Sequence, residues 1–361
     1  MNIIIRADAS TQIGTGHVMR CLALAQAGQE QGWQVLFILA SANKSSALQS
    51  RLLLNGMKVV YLSVEIGSSE DEQQTVEIGS SEDAQQTMDF AQQFAAQWIV
   101  VDGYNFGADY QKTIKCFGMS LLFIDDYGHA EYYYADLVLN QNISVHQDLY
   151  INRELHTNLL LGTAYTLLRK EFWQWRQWHK KINSRASKIL ISLGGSDPDN
   201  VTLKVIQSLL LVSNDLEVIV VVGGSNPHYK KLQSLIESNT ESHLAISLQQ
   251  NVNNMPELMA WADIAIAAGG STNWELAFMG LPSIVITIAD NQKAIAAELD
   301  RQGVIINLGW HQDVNIEQIS LVVRELIGDR HKREDMSQKG RKLVDGNGAS
   351  RVASQMLNML A

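Results

Sequence analysis

Residues 267–286 read AAGGSTNWELAFMGLPSIVI. An apolar run ends in two glycines, a helix-compatible stretch follows, Gly280 and Pro282 stop it, and a second β-branched run begins. This is the pattern of a βαβ unit. A parallel strand buried on both faces needs successive apolar side chains, and only a crossover helix returns the chain to the same sheet edge. The scheme recurs outward in both directions. Comparable runs lie at 189–193, 218–222, 244–248, 264–267, 283–288 and 304–307, and earlier at 3–6, 35–39, 59–62, 98–101, 121–124 and 137–139. The expectation is an α/β protein of two Rossmann-like, doubly wound domains facing each other across a cleft.

The length of 361 residues suits two such domains. All four prolines fall at or after position 198, which marks two differently built halves. The boundaries read as a first domain over 1–168, a linker helix over 169–187 and a second domain over 188–361. Residues 169–188, RKEFWQWRQWHKKINSRASK, hold seven Lys/Arg and three of the eight tryptophans, a mixture that suits a nucleic-acid or membrane surface. The simpler reading is an interdomain helix that buries Leu168, Phe172 and Trp175 on one face and solvates its lysines on the other.

Hydrophobic residues make up 46% and charged residues 18%, which supplies cores and argues against disorder. With 28 Lys+Arg against 38 Asp+Glu, the net charge of −10 repels nucleic acid. Two cysteines, Cys21 and Cys116, exclude a disulfide framework and a thiolate-rich zinc site. The opening MNIIIRADAS is too short an apolar run for a signal peptide, and no later run approaches the roughly twenty residues of a membrane helix. The expectation is a soluble cytoplasmic protein without a nucleic-acid partner or integral membrane segment, a monomer or weak oligomer. Residues 64–75 (VEIGSSEDEQQT) and 76–87 (VEIGSSEDAQQT) are a tandem duplication that differs only at Glu72 and Ala84. Two short polar copies cannot make a solenoid, so a duplicated surface loop is expected.

The candidate chemistry starts at the first loop, RADASTQIGTGHVMRCLALAQ (6–26). Its Gly14-Thr15-Gly16 resembles a dinucleotide turn, but the third glycine of that fingerprint falls on Met19. The second run lacks an acidic residue for a ribose, so nicotinamide and flavin cofactors are disfavoured. His17 near a helix N-terminus is either a general base or a residue that merely ends a turn. Gly-Gly-Ser recurs at 194–196, 223–225 and 269–271, each time after an apolar run. Such loops offer backbone N–H groups and helix dipoles to a diphosphate, which makes Gly195, Ser196, Gly270 and Ser271 candidate ligands. Thr272 and Glu275 have capping-box spacing, and a carboxylate at Glu275 also suits a ribose diol. Ser196-Asp197-Pro198 reads as an N-cap with a first-turn proline, a structural role for Asp197. Asp102-Gly103-Tyr104 places a carboxylate and a phenol at a strand end. Nothing resembles a P-loop, no His-x-x-x-His occurs, and Asp125 and Asp126 should point to opposite faces, so no metal site is expected.

Taken in order, IRADASTQIGTGHVMR, VVDGYNFG, FIDDYGH, LLGTAYTLLRKEF, ISLGGSDPDN and AAGGSTNWELAFMGLPSIV resemble the UDP-sugar hydrolases of pseudaminic acid biosynthesis. The resemblance runs nearly the length of the chain. The first motif is the most specific; the last is shared with GT-B glycosyltransferases, including the lipid II-forming enzyme. The resemblance implies a GT-B-like fold and cleavage of UDP-2,4-diacetamido-2,4,6-trideoxy-β-L-altropyranose to UDP and free sugar, with inversion, without metal or other cofactor. It implies His17 as the catalytic histidine and Tyr104 as a residue that helps hold the attacking water. Asp8, Gly14 and Gly16 belong to the loop over sugar and phosphate, Ser271 and Thr272 to the diphosphate site, Glu275 to the ribose and Asn291 to the substrate. A GT-B glycosyltransferase, a nucleotide-sugar epimerase and a non-catalytic nucleotide-sugar binding protein are the competing readings.

Overall fold

β1 (Asn2–Ala7) carries Ile3, Ile4 and Ile5, none more than 1% exposed, as a strand covered on both faces requires. The structure is a computed structural model that describes residues 1–9, 15–40, 45–62, 77–195, 197–212, 215–224, 226–239 and 244–360. Around β1 the first sheet adds β2 (Gln34–Ala40), β3 (Lys58–Leu62), β4 (Trp98–Asp102), β5 (Ser120–Ile124), β6 (Leu137–Asn140) and β7 (Asn158–Leu161). All pairs are parallel, in the order β3-β2-β1-β4-β5-β6-β7. The second sheet holds β8 (Lys188–Ser192), β9 (Leu216–Val222), β10 (Leu244–Gln250), β11 (Ile264–Ala268), β12 (Ser283–Thr287) and β13 (Ile305–Trp310). Its order is β10-β9-β8-β11-β12-β13, again parallel. Every apolar run read from the sequence is a strand. β7 was not anticipated, because four residues, NLLL, carry no periodicity of their own.

Each sheet reverses its strand order beside its first strand, between β1 and β4 and between β8 and β11. Crossovers on either side of such a switch point leave on opposite faces, which opens a crevice beyond the strand C-termini. The helices that return the chain are α1 (Gly16–Gln29), α2 (Ser46–Leu54), α3 (Ser81–Gln93) and α4 (Ala108–Cys116) in the first unit. The second unit has α5 (Val201–Leu210), α6 (Tyr229–Ser238), α7 (Met255–Trp261), α8 (Thr272–Met279), α9 (Lys293–Arg301), α10 (Ile316–Gly328) and α11 (Arg330–Leu343).

The last helix, α12 (Gly348–Asn358), departs from the expected division. One unit comprises Met1–Lys170 with Asn347–Ala361, the other Glu171–Gly346. The final helix belongs to the first unit because Ala349, Val352, Ala353 and Met356 form a buried stripe that packs beside α1. Its entry is tight: a Cβ on Gly348 would lie 2.2 Å from the Thr166 carbonyl oxygen, and Arg351 donates to the Ala164 carbonyl at 2.8 Å. The expected linker helix over 169–187 is also corrected. It contains one 3₁₀ segment, Lys170–Trp175, and no α-helix. Its lysines are not all solvated: Lys180 donates to the Met259 and Ala260 carbonyls at the end of α7, and burial lowers its pKa to about 8.

The duplicated segment is not simply a surface loop. The first copy lies outside the described residues, but 77–87 of the second forms a turn and the first half of α3. Ser80 caps the helix by accepting from the Asp83 N–H. Asp83, Ala84 and Thr87 are fully buried. Asp83 receives Arg6 through Nε at 3.0 Å and Nη2 at 2.8 Å, and the Tyr110 hydroxyl at 3.1 Å. A sequence that looks polar is therefore the anchor of α3 on β1, since Arg6 itself is inaccessible.

Candidate functional site

The loop after β1 and the end of β4 meet because the β1–β4 register sets Ala7 beside Asp102. From this loop α1 starts at Gly16, which puts His17 in its first turn. His17 Nδ1 lies 2.6 Å from Asp102 Oδ1. With a carboxylate there, Nδ1 carries the proton and Nε2 keeps its lone pair. Nε2 has no hydrogen-bond partner among the described residues. Three residues on, Arg20 sits on the same helix face and reaches both Asp102 oxygens, through Nε at 2.6 Å and Nη2 at 2.7 Å. It also reaches Asp126, beyond β5, through Nη1 at 2.7 Å. Tyr104 donates its hydroxyl to Asp126 Oδ2 at 2.8 Å and meets the His17 ring edge-on, with centroids 4.8 Å apart. Asn142, beyond β6, supports Asp126 from its other side at 3.1 Å.

Burial would raise the Asp102 carboxyl, but the charges of Arg20 and then His17 outweigh it and hold Asp102 below the usual carboxylate range. Asp126 is lowered in the same way, chiefly by Arg20 against its burial. Two carboxylates thus face one guanidinium beside the His17 ring. His17 and Tyr104 are brought together; Asp102, Arg20, Asp126 and Asn142 were not anticipated as their partners. A charged residue spaced i,i+3 from His17 was the one local signal for Arg20.

Asp8 ends in different company. Its Oδ1 accepts the Ala40 N–H at 2.6 Å and its Oδ2 pairs with Arg6, so its carboxylate ties β1 to β2. Gly16 begins α1, and Gly14 lies outside the described residues. Asp125 and Asp126 serve separate partners, as adjacent strand-end residues should. Asp125 binds Tyr133 Oη at 2.5 Å and His129 Nδ1 at 3.0 Å. These bonds overcome its burial and bring its pKa down to about 2. Among the described residues, no group of three or more His, Cys, Asp or Glu is placed to hold a metal ion.

His129 has acceptors at both ring nitrogens, Asp125 at 3.0 Å and the Phe106 carbonyl at 3.2 Å. A ring that donates twice is an imidazolium. Burial pulls its pKa down, but the Asp125 hydrogen bond and charge hold it above the ordinary histidine value. A raised folded-state pKa contributes stability fully below the unfolded value of about 6.5 and loses it as pH rises through the folded value. The stability advantage of the wild type over His129→Gln should therefore shrink as pH rises from about 6 to about 9. Urea titrations at both pH values check this, and a pH-independent difference would refute the charged clamp.

In the second unit the Gly-Gly-Ser loops follow the adjacent strands β8, β9 and β11. They are not equivalent. A Cβ on Gly223 would lie 2.1 Å from the Gly195 carbonyl oxygen, so packing against the β8 loop already requires that glycine. Gly195 is partly exposed in that turn, while Ser196 lies outside the described residues. Asp197 fills the N-terminus of α5, accepting the N–H groups of Val201 and Thr202 at 2.8 Å each. The structural role read for Asp197 is present, but the helix begins at Val201 and Pro198 is not in its first turn.

The N-terminus of α8 is arranged differently. Ser271 is its N-cap and makes no side-chain cap bond. Thr272 is therefore the first helical residue, and the Thr272–Glu275 capping box does not form. Gly270 and Thr272 are partly exposed and Ser271 is exposed. Gln292, another residue sequence reasoning missed, accepts from the N–H groups of Gly269 and Ile288, each at 3.1 Å. It thereby joins the loop after β11 to the 3₁₀ turn Asp290–Gln292 that carries Asn291. An uncapped helix N-terminus beside glycine amides is a general anion receptor.

Residues 184–355 match the model of the glycosyltransferase family 28 C-terminal domain. The chain is 24% identical over 305 residues to the UDP-2,4-diacetamido-2,4,6-trideoxy-beta-L-altropyranose hydrolase of Campylobacter jejuni, a match that covers 84% of this chain and 97% of that protein. It is 28% identical over 290 residues to the uncharacterized protein MJ1062 of Methanocaldococcus jannaschii, covering 79% of this chain but 55% of the relative, so it spans little more than half of that protein. Among solved structures, MurG of Acinetobacter baumannii superposes with a TM-score of 0.68 at 16% identity over 99% of both chains. At that identity the likeness is one of fold, the pair of parallel-sheet α/β domains found in GT-B glycosyltransferases. Among the described residues, no helix is long and apolar enough to cross a membrane.

Proposed function

We propose that this protein is a UDP-sugar hydrolase that releases UDP and free 2,4-diacetamido-2,4,6-trideoxy-L-altrose from the UDP-β-L-sugar in pseudaminic acid biosynthesis. The observation that carries the reading is the 2.6 Å contact between His17 Nδ1 and Asp102, which leaves Nε2 as a base. In the proposed step Nε2 takes a proton from water as the water oxygen attacks the anomeric carbon. The bond from that carbon to the diphosphate oxygen breaks, and its electron pair leaves with UDP. Asp102 stabilises the imidazolium, and Tyr104, fixed by Asp126, orients the water. The first unit handles the sugar. In the second, the α8 N-terminus with Gly270, Ser271 and Thr272 takes the diphosphate, Glu275 the ribose, and Asn291, Gly195 and Ser196 complete the substrate contacts. UDP is a stable leaving group, so helix-terminus donors suffice without metal or cofactor.

The homologous hydrolase supports water as acceptor; the family 28 model over 184–355 supports a second reading, a glycosyltransferase in which a sugar hydroxyl replaces water. Incubation with the UDP-sugar alone, with and without EDTA, separates them. Stoichiometric UDP and free sugar in both arms, with an inverted first-formed anomer by NMR, is expected. UDP release only after an acceptor is added would establish the transferase, and binding without turnover a non-catalytic protein.

Glu275→Gln tests the nucleotide side. Because Ser271 rather than Thr272 is the N-cap residue of α8, the substitution removes no capping box. Loss of a charge-assisted ribose bond should weaken UDP binding by about 1–2 kcal/mol. Calorimetric titration showing wild-type affinity would remove Glu275 from the ribose site.

A further inference from the structure

We propose that Tyr127 is a specificity-determining platform for the apolar face of the glycosyl group. This rests on the reading of His17 as the group that activates water. The Tyr127 residue is 49% exposed, yet it stands on a turn with little freedom to move. Asp125 accepts the N–H groups of Asp126 at 2.6 Å, Tyr127 at 3.2 Å and Gly128 at 3.0 Å. Asp125 is itself 1% exposed and is held by Tyr133 and His129. Gly128, at φ +77°, closes the turn against Leu149. A large aromatic ring is thus offered to solvent from a backbone whose every N–H is fixed. Such a ring gives contact area to a ligand with little ordering entropy still to lose.

Its position identifies the occupant. The Tyr127 ring centroid lies 5.4 Å from that of Tyr104, tilted by 47°, and Tyr104 meets His17 edge-on. The three rings form one wall that runs from the exposed surface to the imidazole. A pyranose presents axial C–H bonds on one face, and a 6-deoxy, diacetamido sugar adds methyl groups to its apolar area. An aromatic face attracts such positively polarised C–H groups. The wall ends at the proposed base, so the group it would hold is the one whose anomeric carbon reacts. Tyr127 would then discriminate among UDP-sugars by the sugar, independently of the nucleotide.

Tyr127→Ala and Tyr127→Phe in the full-length protein test this. For the UDP-sugar, Tyr127→Ala should raise KM about tenfold with kcat little changed, and Tyr127→Phe should stay near wild type. Inhibition by UDP and the melting temperature should not move in either variant. A binding arm is independent of turnover: the same UDP-sugar and UDP are titrated into His17→Leu protein with and without Tyr127→Ala. The expected result is that Tyr127→Ala lowers affinity for the UDP-sugar about tenfold and leaves UDP affinity unchanged. Unchanged UDP-sugar affinity, or a parallel fall for UDP, overturns the platform. A wild type that never releases UDP overturns the hydrolase reading alone, because the binding comparison still decides the role of Tyr127.

Discussion

His17→Leu should lower the rate of UDP release by about 10²-fold or more while leaving UDP affinity close to that of the wild type. Leucine fills much of the same space, and His17 is 6% exposed, so the site should not open to solvent. Asp102 keeps its bonds from Arg20 Nε and Nη2 after the imidazole is gone, so no buried carboxylate is left unpaired. What disappears is the lone pair at Nε2 and the place where positive charge can develop. Nucleotide contacts are assigned to the second unit, which the substitution does not touch. Steady-state kinetics and calorimetry on the purified variant check both halves of the statement. Retained turnover would remove His17 from the base role, and a parallel loss of UDP binding would mean that the loop also holds nucleotide.

The duplication yields the second large effect. Deleting residues 64–75 or deleting residues 76–87 produces proteins that differ at one position, because the copies differ only at Glu72 and Ala84. The first deletion leaves Ala84 in α3, where it is 0% exposed. The second puts Glu72 there, with Asp71 taking over the place of Asp83 beside Arg6. An unpaired carboxylate buried at that position should destabilise the fold by about 3–5 kcal/mol. Removal of the first copy should barely change stability, since loop closure varies by about 0.6 kcal/mol per doubling of length. Urea unfolding of the pair measures this, and Glu72→Ala should rescue the second deletion. Equal stability of the two deletions would show that the second copy is not the one α3 requires.

How far the sequence could be read depends on the range of the interaction. Strand existence was legible at Ile3, Ile4 and Ile5 or at residues 264–267, because burial on both faces dictates consecutive apolar residues whatever surrounds them. His17 was legible as a candidate from its glycine turn, and Glu275 from its place one turn into a helix. Asp102 was visible only as a carboxylate ending a strand. Its partnership with His17, 85 residues earlier, depends on β1 and β4 being neighbours in a given register, which no local pattern encodes. The same limit applied to Thr272 and Glu275: their spacing fits a capping box, but the helix starts one residue too early, at Thr272 itself, to form it.

The sequence by itself therefore determined the α/β class, the two parallel sheets and nearly all their strands, because periodicity and turn chemistry act over a few residues. Only the tertiary structure decided that α12 completes the first unit, that the second repeat copy anchors α3 through Asp83, and that Arg20 joins Asp102 to Asp126. Each of those outcomes turns on charges and buried faces that meet from distant positions. Their free energy is set by desolvation and pairing in the assembled fold, and an isolated stretch of chain has neither.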